Sequence, residues 1–590
     1  MPDPYGGGAV SAARLVAICA AVLSQAPAPA QSKSGFEYNG IIHVSWWYNE
    51  YTYAAATTSR QALATTHANW ASVLVTWYQS TITSTSIAAD SIKTPTDDAL
   101  RQAIQELHNQ GLKVMLKPHV DLSQDPNHWR GEINPADRDA WFASYKPFIL
   151  KYAQMAQDQG VEGLCIGTEL IQMSGTVNRD RWNNVIDAIR AVYSGVLTYA
   201  ANATSAADEF TSVSFWEELD LIGLDGYFPL TNHKDPSLEE LVAAWQYNSA
   251  HLNIVAAVEN LHNTYPEKPV IFTEIGYRSA SGANTAPYSS TLPAGYGGYD
   301  LTEQRNCYEA FYEVWSQQAS WVKGVFWWAW PVNPPGANDT DYNPRGKPAE
   351  EVLRTWQGPP ESALNAVVSA ADYRADGVAP GAIVSLWGTS LASGTITAPM
   401  PFPLPTSLGD TRVTFGGIPA PLFFVSPGQV NAQAPFEVPP GSAVVEVTSN
   451  LGAARMTVTV AAAGPGIFTR NMQGTGEGAI LDAVNYRPIT AADPAEAGEW
   501  IQIYCTGLGA VGGVVTTGDV PPMPPPETVV KPEVRIDGQP LVPDWAGLAP
   551  GWVGLYAVNV KLPSDVSAGT HQLQIAMSGA VSNTVTFSVR

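Results

Sequence analysis

Two glutamates stand where short apolar runs end. Glu169 follows Gly163–Thr168, and Glu274 follows Pro269–Thr273. Taken singly, each reads as an ordinary surface carboxylate at a strand terminus. Taken together they suit one reaction. Cleaving a glycosidic bond needs a protonated carboxyl for the leaving oxygen and a carboxylate for the anomeric carbon. If the two carboxyls lie about 5–5.5 Å apart, the expected course is retention of configuration through a covalent intermediate. The acid must keep its proton near neutral pH, so burial or a neighbouring negative charge has to raise its pKa.

The other apolar runs end on aromatic, amide and a few charged residues: Trp46-Trp47, Trp77-Tyr78, Lys117-Pro118-His119 with Asp121, Asn202, Asp225 with Tyr227, and Trp327-Trp328-Ala329-Trp330. Trp46, Trp77 and Tyr227 are candidate sugar platforms or core aromatics. Lys117 and His119 are read as hydroxyl contacts in the cleaved subsite, over a structural pair with a nearby carboxylate. Asp225 either orients a catalytic group or caps the next segment. Strand alternation puts Trp327 and Trp330 on opposite faces, and Trp327 is favoured for the floor of the subsite, with Trp330 kept as a further candidate. His43, inside a run, reads as a core histidine. His119, Asp121 and His128 lack a metal-ligand spacing, so no metal is expected, and the chemistry calls for no cofactor.

These residues need a scaffold that brings strand ends together. Eight runs qualify as strands: Gly40–Trp46, Ala71–Trp77, Lys113–His119, Gly163–Thr168, Leu197–Ala201, Leu219–Leu224, Pro269–Thr273 and Gly324–Trp328. Each is short and apolar throughout, as parallel strands covered on both faces are. Helical patterns alternate with them at Asp97–Gln110, Pro135–Gln159, Arg179–Tyr193, Leu238–Tyr265 and Thr302–Gln318. Eight βα units predict a (β/α)8 TIM barrel over residues 31–360, with reactive side chains at the C-terminal strand ends. An open doubly wound sheet is the alternative, but no G-x-G-x-x-G follows the first strand.

Four segments carry a more specific likeness. Ile166-Gly-Thr-Glu-Leu170, Val270-Ile-Phe-Thr-Glu-Ile-Gly-Tyr277 and Leu116-Lys-Pro-His-Val120 resemble glycoside hydrolase family 113, as does Asn343-Pro-Arg-Gly-Lys-Pro-Ala349 after the last strand. The resemblance covers about residues 37–357, in strand order. It implies a retaining (β/α)8 hydrolase of the β-1,4-mannanase kind, with Glu169 as acid/base and Glu274 as nucleophile. The wider clan has Asn before the acid/base glutamate. Here that residue is Thr168, so the contact to the sugar 2-hydroxyl falls to Asn202 or another residue. Other β-glycanases, an exo-β-mannosidase, or a non-catalytic carbohydrate-binding surface protein stay open as alternatives.

Beyond Gly358-Pro359-Pro360 the helical periodicity stops. Gly381–Leu391 matches Gly498–Leu508, and Ser426–Gln433 parallels Ala549–Asn559. Short strands between Gly/Pro turns predict two tandem immunoglobulin-like all-β sandwich modules, 361–470 and 471–590. This half resembles a repeat module of secreted proteins of soil Acidobacteria such as Solibacter. Trp387, Trp500, Trp545 and Trp552 are candidate polysaccharide contacts, and Trp387 and Trp500, inside strand runs, read as core instead. Attachment to a cell surface or to polysaccharide is a possible role for the modules.

Composition agrees with an extracellular protein that handles neutral, polar ligands. The 590 residues carry a net charge of −23, yet only 14% are charged, and there are 19 Trp and 24 Tyr. Such acidity argues against nucleic acid or anionic membrane as partner and leaves a β-linked polysaccharide or oligosaccharide. Residues 1–30 read as an export signal, with Arg14 before the run Leu15–Leu23 and Ala28-Pro29-Ala30 as cleavage pattern, which predicts secretion. No later run is long enough for a membrane span. Four cysteines without close spacing give neither a disulfide framework nor a zinc knuckle.

Overall fold

The computed structural model describes residues 32–590 apart from 206–207, 293–294, 334–335, 337 and 400–401. The expected export signal lies outside the described residues. Two compact units divide the rest, Gln31–Pro359 and Pro360–Arg590.

The first unit is a closed barrel of eight parallel strands in sequence order: β1 (Tyr38–Val44), β2 (Trp70–Gln79), β3 (Lys113–Leu122), β4 (Gly163–Thr168), β5 (Val196–Ala203), β6 (Leu221–Gly226), β7 (Val270–Ile275) and β8 (Val322–Pro331). Each expected strand overlaps one of these, in order. The strands are buried on both faces, so two apolar sets form. Ile42, Leu74, Met115, Cys165, Ala200, Ile271 and Phe326 fill the interior. Ile41, Val73, Val75, Val114, Leu116, Leu164 and Ile166 face the helices.

Among the described residues, eight helices cover the barrel: α1 (Ala54–Ala64), α2 (Asp97–Asn109), α3 (Arg138–Gln159), α4 (Arg179–Arg190), α5 (Leu238–Ala244), α6 (Ile254–Thr264), α7 (Leu301–Trp315) and α8 (Pro348–Gln357). Helix α2 shows how the sequence makes them. Thr96 caps it by accepting from Ala99 N–H, Asp97 and Asp98 sit in its first turn, and Leu100, Ala103, Ile104 and Leu107 form the buried stripe. Helix α3 ends where Gly160 takes the left-handed conformation, φ 66°.

The pattern Leu238–Tyr265 is two helices, not one. Asn248 Oδ1 accepts from the N–H groups of Ala250 and Leu252, and its Nδ2 donates to Pro229 O. The amide thus offers the backbone a turn in place of helix, and Asn253 caps the restart.

The second unit holds two all-β modules. In the first, the sheet containing Ala363–Ser369, Ile383–Thr389 and Gln429–Gln433 packs over the sheet containing Thr411–Phe415, Gly441–Ser449 and Gly452–Val460. In the second, Trp500–Thr506 and Tyr556–Lys561 pack over Glu533–Ile536 and Gly569–Met577. Strand Gly466–Ile467 pairs with Trp500–Thr506 and so belongs to the second module. A third apolar cluster, with Ile383, Phe424, Leu481 and Tyr504, joins the two.

Candidate active site

A cavity of about 660 Å3 opens at the C-terminal strand ends, and both Glu169 and Glu274 line it. Local irregularity aims them. The β4–β5 register shifts between Cys165 and Thr168, and Glu169 follows with φ 53°, its N–H donating to Ala200 O. A non-glycine residue in the left-handed region is held there by its surroundings. The β6–β7 and β7–β8 registers also shift beside Glu274. Bulges of this kind re-aim a side chain that regular pleating would point elsewhere.

Glu274 has donors on both oxygens. Lys117 Nζ donates to Oε1 at 2.6 Å and Tyr227 Oη to Oε2 at 2.9 Å. Lys117 is fully buried and also reaches Asp225 Oδ1 at 3.1 Å, whose other donor is Thr273 Oγ1 at 2.8 Å. Burial works against the charge on Lys117, but the carboxylates of Asp225 and Glu274 outweigh it and hold the ammonium protonated. Lys117 and Asp225 are therefore a buried support beneath Glu274, and neither lines the cavity. His119 is also buried. Its Nε2 is 3.8 Å from Glu274 Oε1, and among the described residues neither ring nitrogen has a hydrogen-bond partner. Desolvation, with Arg130 and Lys117 adding to it, drives its pKa well below the ordinary value, so the ring is neutral.

Glu169 sits differently. Asn202 Nδ2, at the end of β5, donates to Oε1 at 3.0 Å, and Arg130 Nη1 stands 3.5 Å from Oε2. Burial raises its pKa. Arg130 opposes that rise, and the negative charge of Glu274 adds to it. Behind Asn202 lies Glu209, a buried carboxyl that accepts from Asn202 N–H at 2.8 Å and from Tyr199 Oη at 2.5 Å. Burial pushes Glu209 up to about 7. Tyr199 in turn accepts from Leu170 N–H at 2.8 Å, which closes a brace around the strand end that carries Glu169.

The aromatic candidates separate cleanly. Trp46 lines the cavity at 42% exposure, and Tyr227 lines it too. Trp77 does not. Its Nε1 donates to Tyr152 Oη at 2.8 Å and its ring packs on Phe148, both on helix α3. Trp327 and Trp330 are fully buried on the helix side. Trp327 stacks on Tyr308 at 3.8 Å and donates to Tyr312 Oη, while Trp330 donates to Ser59 O. The β1–β8 register slips between Ile41 and His43, so the alternation that would part Trp327 from Trp330 is lost. Trp328 takes the place expected of Trp327: it lines the cavity, 6.1 Å from Trp46. His43 is a core histidine, with Nδ1 donating to Trp330 O at 3.0 Å. His128 pairs with Asp125 at 2.7 Å, away from His119.

Sequence reasoning also passed over Trp129, Arg130, Tyr288 and Tyr342, which also line the cavity. They come from the loops after β3, β7 and β8, on the face where a TIM barrel collects its binding residues. That placement was the available signal, but nothing local marks a loop residue as inward.

The fold and this pair of carboxylates define a (β/α)8 glycoside hydrolase. A model of Glycoside Hydrolase Family 113 matches residues 44–347, and the chain belongs to that family. Among solved structures, a GH113 β-1,4-mannanase is 26% identical, covers 55% of this chain and 98% of its own, and has a TM-score of 0.47. The GH113 β-mannanase from Alicyclobacillus acidocaldarius in complex with ManMIm is 27% identical, covers 54% and 96%, and has a TM-score of 0.47. The endo-β-1,4-mannanase from Thermotoga petrophila is 10% identical, covers 73% and 100%, and has a TM-score of 0.34. A comparison with curated protein sequences gave no match.

Proposed function

We propose that the protein is a secreted, retaining endo-β-1,4-mannanase. The observation that carries the mechanism is the contrast between the two glutamates. Glu274 receives a cationic donor on one oxygen and a phenol on the other, which favours a charged nucleophile. Glu169 is shifted upward by burial, which favours a proton donor. In the first step a Glu274 oxygen bonds to the anomeric carbon as the glycosidic C–O bond breaks. The Glu169 proton passes to the departing oxygen. In the second step the Glu169 carboxylate takes a proton from water, the water oxygen bonds to the anomeric carbon, and Glu274 leaves as carboxylate. Trp46 and Trp328 serve as stacking walls, and Asn202, which lines the cavity, takes the 2-hydroxyl contact that Thr168 does not provide.

The substrate class follows the family, whose solved members named above are β-mannanases. Secretion follows from the export pattern of residues 1–30 and from a polymeric substrate that must be met outside the cell.

The test is release of reducing ends from mannan, glucomannan, xylan and cellulose, with viscosity to separate endo from exo action. Mannan and glucomannan should be cut, with viscosity falling early. Glu274→Ala should be inactive. Glu169→Gln should lose about 10²–10⁴-fold on mannan but far less on aryl mannosides whose leaving group needs no proton. Hydrolysis confined to xylan or cellulose would overturn the substrate assignment. Wild-type turnover by either variant would overturn the roles.

A further inference from the structure

The two all-β modules are copies of one motif, and the copies differ where it matters for binding. Aligning Gly381–Leu391 with Gly498–Leu508 matches Ser385 to Gln502 and Trp387 to Tyr504. In register, Ser385 pairs with Asn431, and Gln502 pairs with Asn559. The second copy closes this polar row on itself. Tyr504 Oη donates to Gln502 Oε1 at 2.8 Å, and Gln502 Nε2 donates to Asn559 Oδ1 at 3.0 Å. Tyr504 is only 7% exposed.

The first copy builds the row differently: Gln429 Nε2 donates to Asn431 Oδ1 at 3.0 Å, and a tryptophan stands in the tyrosine's place. Ser385 and Asn431 are fully buried, and Ser385 Oγ and Asn431 Nδ2 have no hydrogen-bond partner among the described residues. Serine is two heavy atoms too short to repeat the glutamine bridge. Trp387, the counterpart of buried Tyr504, is 37% exposed. It is therefore not the core residue that its strand position predicts.

Beside this row lies a recess of about 380 Å3 walled by Val368, Tyr373, Trp387 and Gln473. Val368 pairs with Ser385, so Val368, Ser385 and Asn431 share one sheet face, and Trp387 stands two residues along on the same face. Tyr373 is 36% exposed and held at φ 59°, with its hydroxyl donating to Met472 O of the second module, next to Gln473. No wall residue is charged. Aromatic faces suit the C–H face of a pyranose, an amide suits its hydroxyls, and the volume falls in the range of small-ligand sites.

We propose that this recess is a second carbohydrate-binding site, taking one sugar unit of a neutral polysaccharide against Trp387. Gln473 contacts its hydroxyls. The choice of mannan as first ligand rests on the substrate proposed above.

The test uses the full chain with Glu274→Ala, so that the polymer survives, in affinity electrophoresis through mannan, glucomannan, xylan and hydroxyethyl cellulose. Adding Trp387→Ala should weaken retention about tenfold on at least one polymer, as loss of an aromatic anchor does. Trp387→Phe should recover part of it. In the otherwise wild-type chain, Trp387→Ala should leave kcat/KM on a short mannooligosaccharide unchanged, and Gln473→Ala, at an exposed loop position, gives a second variant should Trp387→Ala fold poorly. Trp387-dependent retention on xylan or cellulose alone would support this site while counting against mannan as substrate. Equal retention of the Trp387 and Gln473 variants and their parent on every polymer would overturn the proposal.

Discussion

Replacing Arg130 by Gln should move the alkaline limb of the pH–rate profile upward. Arg130 arrives from the short turn Arg130–Glu132 after β3 and divides its guanidinium between Glu169, 3.5 Å from Nη1, and Asp121, 3.2 Å from Nη2. Unit charges at that distance attract by about 1 kcal/mol in water and about 5 kcal/mol at an effective dielectric of 20. Both side chains keep some solvent contact, and Asp121 takes a share of the charge, so the effect on Glu169 lies between those two limits. The sign is fixed. Burial raises the Glu169 pKa and Arg130 holds that rise down. Without the guanidinium the carboxyl keeps its proton to higher pH, and the newly freed Asp121 pushes the same way. Because the acid acts in its protonated form, activity should persist further into the alkaline range. The assay is kcat/KM against pH on a β-1,4-mannooligosaccharide for wild type, Arg130→Gln and Arg130→Lys, with melting temperatures as a check on folding. Lys keeps the charge and should hold the limb near wild type. An alkaline limb that stays put in Arg130→Gln, or falls, would refute the reasoning.

Lys117→Met should cost about 3–5 kcal/mol at neutral pH by urea unfolding, because it strands two buried carboxylates that now share one ammonium. Burial and the Glu274 charge already raise the Asp225 pKa, and loss of the ammonium that opposes them raises it further, so the deficit should shrink as pH falls and Asp225 takes up its proton. A deficit that grows toward acid pH would contradict the placement of Lys117. The neighbouring tryptophans should part company. Trp327→Ala should lower stability by about 3–5 kcal/mol while the folded fraction keeps its kcat/KM, since Trp327 stacks on Tyr308 within the core. Trp328→Ala should lower kcat/KM with a smaller loss of stability, because that ring lines the cavity. The reverse pattern, read by unfolding curves and steady-state kinetics together, would exchange their roles.

Much of the catalytic unit is written locally. Apolar runs buried on both faces, separated by capped amphipathic helices, leave few architectures other than a closed parallel barrel. In that barrel a glutamate just after the fourth strand and another in the seventh meet at one mouth, so Glu169 and Glu274 could be read from chain order alone. What the sequence could not decide depends on register and on contacts across the barrel. Regular alternation puts Trp327 and Trp330 on opposite faces. The slipped β1–β8 pairing put both among the helices and left Trp328 at the cavity. Lys117 looked like a sugar contact because it ends a strand run, but its flexible stem ends between Asp225 and Glu274, residues more than a hundred positions away. Glu209 gives no sign of its place behind Asn202 until β5 and the turn after it are folded together. Periodicity and strand order are properties of neighbouring residues and survive in one dimension. The partner of a charge and the face of a ring at a bulge are fixed only when distant segments pack, and there the tertiary structure has the last word.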